Sequence, residues 1–138
     1  MTDTDEGVAI VVWRRTSRLE VLLLHRAAFG TAFEGDWAWT SPGGARDHGE
    51  TPERAAWREL REETGLELDC EAFESQVARA RLDVDVAVFV AEASADDVVA
   101  LSDEHDRYEW VAVDEVERCL PTWVADVYRE VLARVPRA

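Results

Sequence analysis

Two apolar runs open the chain, "GVAIVVWRR" (7–15) and "LEVLLLHR" (19–26), rich in β-branched and aliphatic residues and separated by a break at Thr16 and Ser17. They predict two strands joined by a short turn, a hairpin. The next stretch, "AAFGTAFEGDWAWTSPGG", has glycines, Pro42 and aromatics but no clear period. It predicts a long loop interrupted by a short strand around 37–40, and long loops in compact domains are often binding loops. Residues 51–64 then read as a helix. Thr51 can cap it, Pro52 suits its first turn, Ala55, Ala56 and Leu60 favour it, and Gly65 can end it in the left-handed conformation. "LELDCEAFES" and "VARARLDVDVAVFVAEA" alternate well enough to predict strands, with Val84, Val86, Val88 and Val90 on one face. A further strand is expected around 108–113. Last comes a helix with Trp123, Val127, Val131 and Val135 at helical spacing, between Pro121 and Pro136, and that stripe reads as core packing.

The order of strands, loop, helix, strands and helix, without strict βα alternation, predicts an α/β sandwich on a mixed sheet rather than a doubly wound parallel one. The length of 138 residues and the 47% hydrophobic content fit one globular domain over 1–138, with no repeats or linker.

Within the first helix, Glu59, Glu62 and Glu63 sit at i, i+3 and i+4 and share an arc of about 100°. Like-charged carboxylates at that spacing repel, and a bound divalent cation would remove the cost. With oxygen ligands only, a hard ion such as Mg²⁺ or Mn²⁺ is favoured over zinc. Ala55 and Ala56 fall on the same side one turn earlier, and their small side chains would leave room for a ligand. The competing reading is a solvated face on which the glutamates pair with Arg58 and Arg61.

The wider spacing decides between the two. Gly44, five residues, Glu50, seven residues, Arg58-Glu59-Leu60, one residue, Glu62-Glu63, one residue and Gly65-Leu66 follow one another in order. At roughly one in fifteen for each exact position, a chance match in a chain of this size is on the order of one in a million.

This segment, 44–66, resembles the signature of the Nudix hydrolase family, with every defined position filled. The preceding "WTSPGG" and the later "EHDRYEW" are similar to family members too; the latter resembles diadenosine polyphosphate hydrolases and some triphosphate pyrophosphatases. The resemblance implies a Nudix fold, an α/β/α sandwich, and Mg²⁺-dependent hydrolysis of a phosphoanhydride in a nucleoside diphosphate linked to another moiety. Dinucleoside polyphosphates or nucleoside triphosphates are the expected substrates. It further implies that Glu59, Glu62 and Glu63 hold the metal, with the Gly43 carbonyl as a further ligand. Arg58 and Glu50 would pair to orient the motif, and Gly44 and Gly65 would permit tight backbone. The base that activates water is open between Glu62 and Glu104, with Glu104 also a candidate metal ligand.

Arg26, Arg46 and Arg107 are candidates for phosphate contacts, and Trp37, Trp39 and Tyr108 for stacking on a base. His48 and His105 lack a nucleophilic partner and read as hydrogen-bonding residues.

Two other readings remain. One is a non-catalytic Nudix-fold module that binds a nucleotide for regulation, although such modules usually carry a damaged motif. The other is an isopentenyl diphosphate isomerase, which would need a catalytic cysteine near the site.

Fifteen Lys and Arg against thirty Asp and Glu give a net charge of -15, which disfavours nucleic-acid polymers and anionic membranes as partners. A small nucleotide therefore needs local cations. The two cysteines, Cys70 and Cys119, form no metal or disulfide pattern. With no signal-peptide or membrane-spanning run, a reduced cytoplasmic setting is expected. A homodimer is compatible with the sequence.

Overall fold

In the computed structural model, which describes residues 7–81 and 85–135, a seven-stranded mixed sheet carries helices on both faces. Strands β1 (Gly7–Arg15) and β2 (Leu19–Arg26) form the expected antiparallel hairpin, with Trp13 opposite Val21. β1 runs parallel to β6 (Val86–Glu92), and every other pairing is antiparallel. The sheet order is β3-β2-β1-β6-β5, where β3 is Trp39–Thr40 and β5 is Glu71–Phe73. Two strands branch off it. β4 (Gly43–Ala45) pairs with β1, and β7 (His105–Ala112) pairs with β2.

Both sheet faces are covered, which is why β1 and β2 read as continuous apolar runs. Alternate residues feed two cores. Ile10, Val12, Leu22, Leu24, Phe89 and Ala91 pack under α1 (Pro52–Thr64). Val11, Trp13, Val21, Leu23 and Val88 pack under α3 (Thr122–Leu132) and the 3-10 turn at Val113–Arg118. Val88 and Val90 thus share a face as expected, and Val84 lies outside the described residues.

Helix α1 has the ends that its sequence marks. Thr51 accepts a hydrogen bond from the Arg54 amide, Pro52 opens the first turn, and Gly65 closes the helix at φ 76°. Ala55 and Ala56, expected to make room for a ligand, are instead fully buried against the sheet. Their small side chains let the helix approach the sheet closely, which fixes the height of the glutamates one turn later.

The stretch 77–81, expected as strand, belongs instead to a short helix, α2 (Gln76–Arg79), and its exit. Ser75 caps α2 by accepting from the Ala78 amide. Glu130 of α3 accepts from Ser75 Oγ at 2.6 Å and from the Gln76 amide at 2.7 Å. A carboxylate at a helix N-terminus satisfies amides that would otherwise lack partners. Partial burial raises the Glu130 pKa, but the hydrogen bonds from Ser75 and the amides of Gln76 and Val77 outweigh it and hold the carboxyl below its usual range. The stabilisation is therefore present above the unfolded value near 4.5 and lost as pH falls through the lower folded value. Glu130→Ala is expected to lower Tm by a few degrees at pH 7 and by progressively less as pH falls below 4.5, read by thermal unfolding. A loss that does not shrink with falling pH would rule out the carboxylate cap.

The last helix stops at Leu132, so Val135 lies past its end, while Val127 and Val131 are buried as expected and Pro136 falls outside the described residues. No helix among the described residues is long and apolar enough to cross a membrane.

Candidate active site

Gly44 shows how closely α1 and β4 approach. A Cβ there would lie 2.7 Å from Glu59 Oε2, so the glycine leaves room for a carboxylate. Its φ is not positive, and the expected need for a tight backbone applies to Gly65 alone of the two.

Behind Gly44, Glu63 is buried at 4% exposure and accepts a hydrogen bond from the Gly43 amide at 3.0 Å. This contact uses the Gly43 N–H rather than its carbonyl. Burial pushes the Glu63 carboxyl up to about 8; the Gly43 amide opposes the shift, and the neighbouring Glu59 and Glu104 charges add to it. Burial raises the Glu59 carboxyl as well. Two acidic groups are thus crowded into one recess without enough positive charge to ionise both comfortably.

Arg58 stands at the outer edge of this recess. Its Nε and Nη2 grip Glu50 Oε2 and Oε1 at 2.8 and 2.9 Å, and Nη2 also reaches the Ala45 carbonyl at 3.2 Å. Nη1 reaches Glu62 Oε1 at 3.1 Å and Glu59 Oε2 at 3.3 Å. The Arg58 hydrogen bonds and the Asp47 amide hold the Glu50 carboxyl at about 2.

Glu59 and Glu63 line a cleft of about 810 Å³ together with Glu104, His105, Arg26, Phe29, Trp37, Trp39, Trp123 and Tyr128. Glu62 does not line it; its side chain is 58% exposed and is held by Arg58. Glu104 does, because of an irregularity in the β2–β7 ladder. His25 pairs with Arg107 and Arg26 with His105, so Asp106 is an extra residue. Such a bulge turns the end of β7 and brings Glu104 and His105 beside Arg26. His25, fully buried, bridges Asp106 Oδ1 through Nδ1 at 2.9 Å and the Phe33 carbonyl through Nε2 at 2.6 Å. It ties the loop that carries Trp37 to the segment that carries Glu104.

The three candidate phosphate-binding arginines separate clearly. Arg107 is engaged by Glu34 and by the Thr31 carbonyl, and Arg46 donates to the Glu50 carbonyl. Arg26 lines the cleft, its Nε is buried without a partner, and among the described residues its side chain is the only arginine's with no hydrogen bond, ion pair or aromatic contact.

The stacking candidates separate too. Trp39 is 7% exposed, gives its Nε1–H to Glu34, and lies under Arg107 and against His25. Tyr108 is exposed but outside the cleft lining. Trp37, by contrast, is exposed and lines the cleft, and Trp123, read from its spacing as core, packs partly buried against that core and lines the cleft as well. The signal for Trp123 is its place at the first turn of α3, at the end of the apolar stripe rather than within it.

His48 is on an exposed loop. Burial lowers the His105 pKa and favours its neutral form. The thiols of Cys70 and Cys119 are half-buried outside the cleft, and burial raises both, Cys70 to about 11. Neither is placed or activated as the isomerase reading requires.

The carboxylates suit a hard divalent ion in chemistry, being all oxygen, partly desolvated and short of positive charge. As the side chains stand, among the described residues no three His, Cys, Asp or Glu converge closely enough to hold a metal. Arg58 occupies part of that role by holding Glu59 and Glu62.

A Mycobacterium tuberculosis protein named "Putative 8-oxo-dGTP diphosphatase 3" is 39% identical over 97 residues, 70% of this chain and 36% of that protein. The chain thus spans about a third of the length of that relative. The Rattus norvegicus bis(5'-nucleosyl)-tetraphosphatase (asymmetrical) is 34% identical over 121 residues, 77% of this chain and 78% of that one. Among solved structures, the Nudix hydrolase RenU of M. smegmatis superposes with a TM-score of 0.73 at 25% identity, covering 100% of this chain and 91% of that one. The NUDIX domain model matches residues 3–135, from before β1 to beyond α3 and across the whole glutamate-bearing helix, so this chain belongs to the Nudix family.

Proposed function

We propose that this domain hydrolyses a phosphoanhydride bond in a nucleoside diphosphate linked to another moiety, with a dinucleoside polyphosphate or a nucleoside triphosphate as substrate and Mg²⁺ or Mn²⁺ as cofactor. The observation that carries the reading is the pairing of opposites in one cleft. Carboxylates short of positive charge share the cleft with Arg26, which has no hydrogen-bond or ion-pair partner among the described residues, in a protein where acidic residues abound. A divalent ion and a phosphate chain between them would satisfy both.

Glu59, Glu62 and Glu63 are the metal donors in this reading, with Glu104 and the Gly43 carbonyl beside them. The ion, when bound, neutralises nonbridging phosphate oxygens and lowers the pKa of water. Arg26, which lines the same cleft, holds the phosphate chain, and its fixed fork suits phosphate oxygens. Arg58 fixes the donors through Glu50. For the proton of the attacking water, Glu104 is favoured over Glu62, because Glu104 lines the cleft whereas Glu62 is not part of its lining and is paired with Arg58. The printed names of the mycobacterial and rat relatives support nucleotide polyphosphates as the substrate class.

Product analysis over a panel of dinucleoside polyphosphates, nucleoside triphosphates and nucleotide sugars, with and without Mg²⁺, tests this. Metal-dependent release of a nucleotide product from at least one member is expected. Arg26→Gln should raise KM about tenfold with a smaller effect on kcat, as loss of a charged hydrogen bond would. Inactivity on the whole panel, with nucleotide binding retained, would favour the regulatory-module reading instead.

A further inference from the structure

Strand β2 is apolar from Val21 to Leu24 and then buries a histidine. His25 is fully buried and is not part of the cleft lining, so it acts on the cleft only through its neighbours. We propose that His25 is a positioning residue whose two ring nitrogens serve different parts of the cleft: Nδ1 holds the bulge that places Glu104, and Nε2 holds the segment 27–38 that carries Phe29 and Trp37. The consequence for turnover rests on the cleft hydrolysing a nucleotide; the two ties themselves do not.

A polar ring with no access to water needs partners within the protein. Here each nitrogen meets an acceptor. Nδ1 is 2.9 Å from Asp106 Oδ1, and Nε2 is 2.6 Å from the Phe33 carbonyl, with Glu34 Oε2 further off at 3.9 Å. A ring that donates from both nitrogens satisfies the site. Trp39 stands edge-on to it at a centroid distance of 5.0 Å, so the ring is packed as well as bonded and has little freedom to move either partner.

Both partners belong to segments that border the cleft. Asp106 is the extra residue of the β7 bulge, and His105 and Glu104, which line the cleft, directly precede it. The Ala27 amide holds the Glu104 carbonyl at 3.0 Å, but the turn of the strand depends on the bulge residue. Asp106 Oδ1 is held by His25 and, at 3.4 Å, by Arg107, while Oδ2 is buried without a partner. On the other side, residues 30–38 form no strand or helix, so the contacts that reach into them decide where they lie. Arg107 takes the Thr31 carbonyl and pairs with Glu34, and His25 takes the Phe33 carbonyl between them. Ala28, Phe29 and Trp37 of this segment line the cleft. One ring therefore ties the group favoured for chemistry and the segment that encloses the ligand, each through its own nitrogen.

Asparagine and glutamine separate the two ties, because the amide nitrogen of asparagine falls where Nδ1 stands and that of glutamine where Nε2 stands. His25→Asn keeps the bond to Asp106 and frees Phe33; His25→Gln keeps Phe33 and frees Asp106. Amide hydrogen exchange of the substrate-free proteins, read by mass spectrometry, should quicken in 30–37 for His25→Asn and in 104–108 for His25→Gln. With a nucleotide that the wild type hydrolyses in Mg²⁺, His25→Gln should lower kcat about tenfold or more at nearly unchanged KM. His25→Asn should raise KM about threefold or more at nearly unchanged kcat. Asp106→Ala cuts the first tie with the ring left in place, so it decides the Glu104 tie even where a His25 variant fails to fold. It should repeat the His25→Gln pattern, and the two changes combined should add little to either alone. Exchange that rises in both segments in both variants, or kcat and KM that move together in both, would make His25 a packing residue and overturn the proposal. An Asp106→Ala protein with unchanged kcat and exchange would overturn it too. If exchange divides as described but no nucleotide is hydrolysed, the two ties stand and the hydrolytic reading falls.

Discussion

Glu63→Gln is expected to lower Mg²⁺-dependent turnover by on the order of 10²-fold or more, as loss of a charged partner at the reacting centre does, while making the metal-free protein more stable at alkaline pH. The two effects have one cause. Glu63 is buried beside Glu59, and burial holds its carboxyl at about 8 in the folded chain against 4.5 when free. Because the folded value is the higher one, the group's contribution to stability is fully present below 4.5 and is lost as pH rises towards 8. The unfolded chain releases the proton first, so rising pH favours unfolding. Glutamine keeps the shape and can still accept the 3.0 Å bond from the Gly43 amide, but it cannot ionise. Its Tm without metal should therefore match the wild type near pH 5 and exceed it by several degrees at pH 9. Saturating Mg²⁺ should reverse the order, stabilising the wild type most where Glu63 is ionised. Thermal unfolding of both proteins across pH 5–9, with and without Mg²⁺, reads all of this. If glutamine leaves turnover intact, the metal-donor role fails; if the metal-free curves run parallel, the buried-carboxylate account fails.

Which parts of the molecule can be read from sequence depends on whether local or distant contacts decide them. Helix α1 is legible because Thr51, Pro52 and Gly65 act on backbone within one turn of themselves. The hairpin is legible because β1 and β2 are covered on both faces, so almost any register buries apolar residues. Helix α2 is not. The alternation in "VARARLDV" mimics a strand, and what makes it helical from Ser75 onward is Glu130, 55 positions away. Strand β4 is equally silent, since Gly43, Gly44 and Ala45 have no pattern and are held by their pairing with β1. In the site, the spacing of the glutamates identifies the motif but not the direction of each side chain, so Glu62 reads as an equal of Glu59 although Arg58 holds it outside the cleft. Arg26, Arg46 and Arg107 look alike for the same reason. Only the folded chain determines that Glu34 reaches Arg107, that the Glu50 carbonyl reaches Arg46, and that no described residue gives Arg26 a hydrogen bond or ion pair. Trp37 and Trp39 are two residues apart, yet Trp39 is a packed, hydrogen-bonded ring and Trp37 an exposed one.

Arg58→Ala is the second large effect, and it acts on the metal through geometry. One guanidinium joins the 45–50 loop, through Ala45 and both oxygens of Glu50, to Glu59 and Glu62 on the helix. Its removal leaves three carboxylates near one another with no shared cation and frees the loop that places Gly44 against Glu59. The Mg²⁺ concentration for half-maximal activity should rise about 10–100-fold, the range seen when groups that orient metal ligands are lost. Tm should fall by several degrees at neutral pH. Lysine should rescue little, because a point charge cannot reproduce a two-pronged grip on Glu50 together with contacts to the helix. Acid gives the check that separates this ion pair from simple loss of packing. Arg58 holds Glu50 at about 2 against 4.5 when free, so the pair's contribution is present above 4.5 and lost as pH falls through 2. The Tm gap between wild type and Arg58→Ala should hold steady from pH 7 to 5 and close between about 4.5 and 2. A gap that is independent of pH would assign Arg58 to packing alone. Full activity of Arg58→Lys at unchanged Mg²⁺ would show that the charge matters and the fork does not.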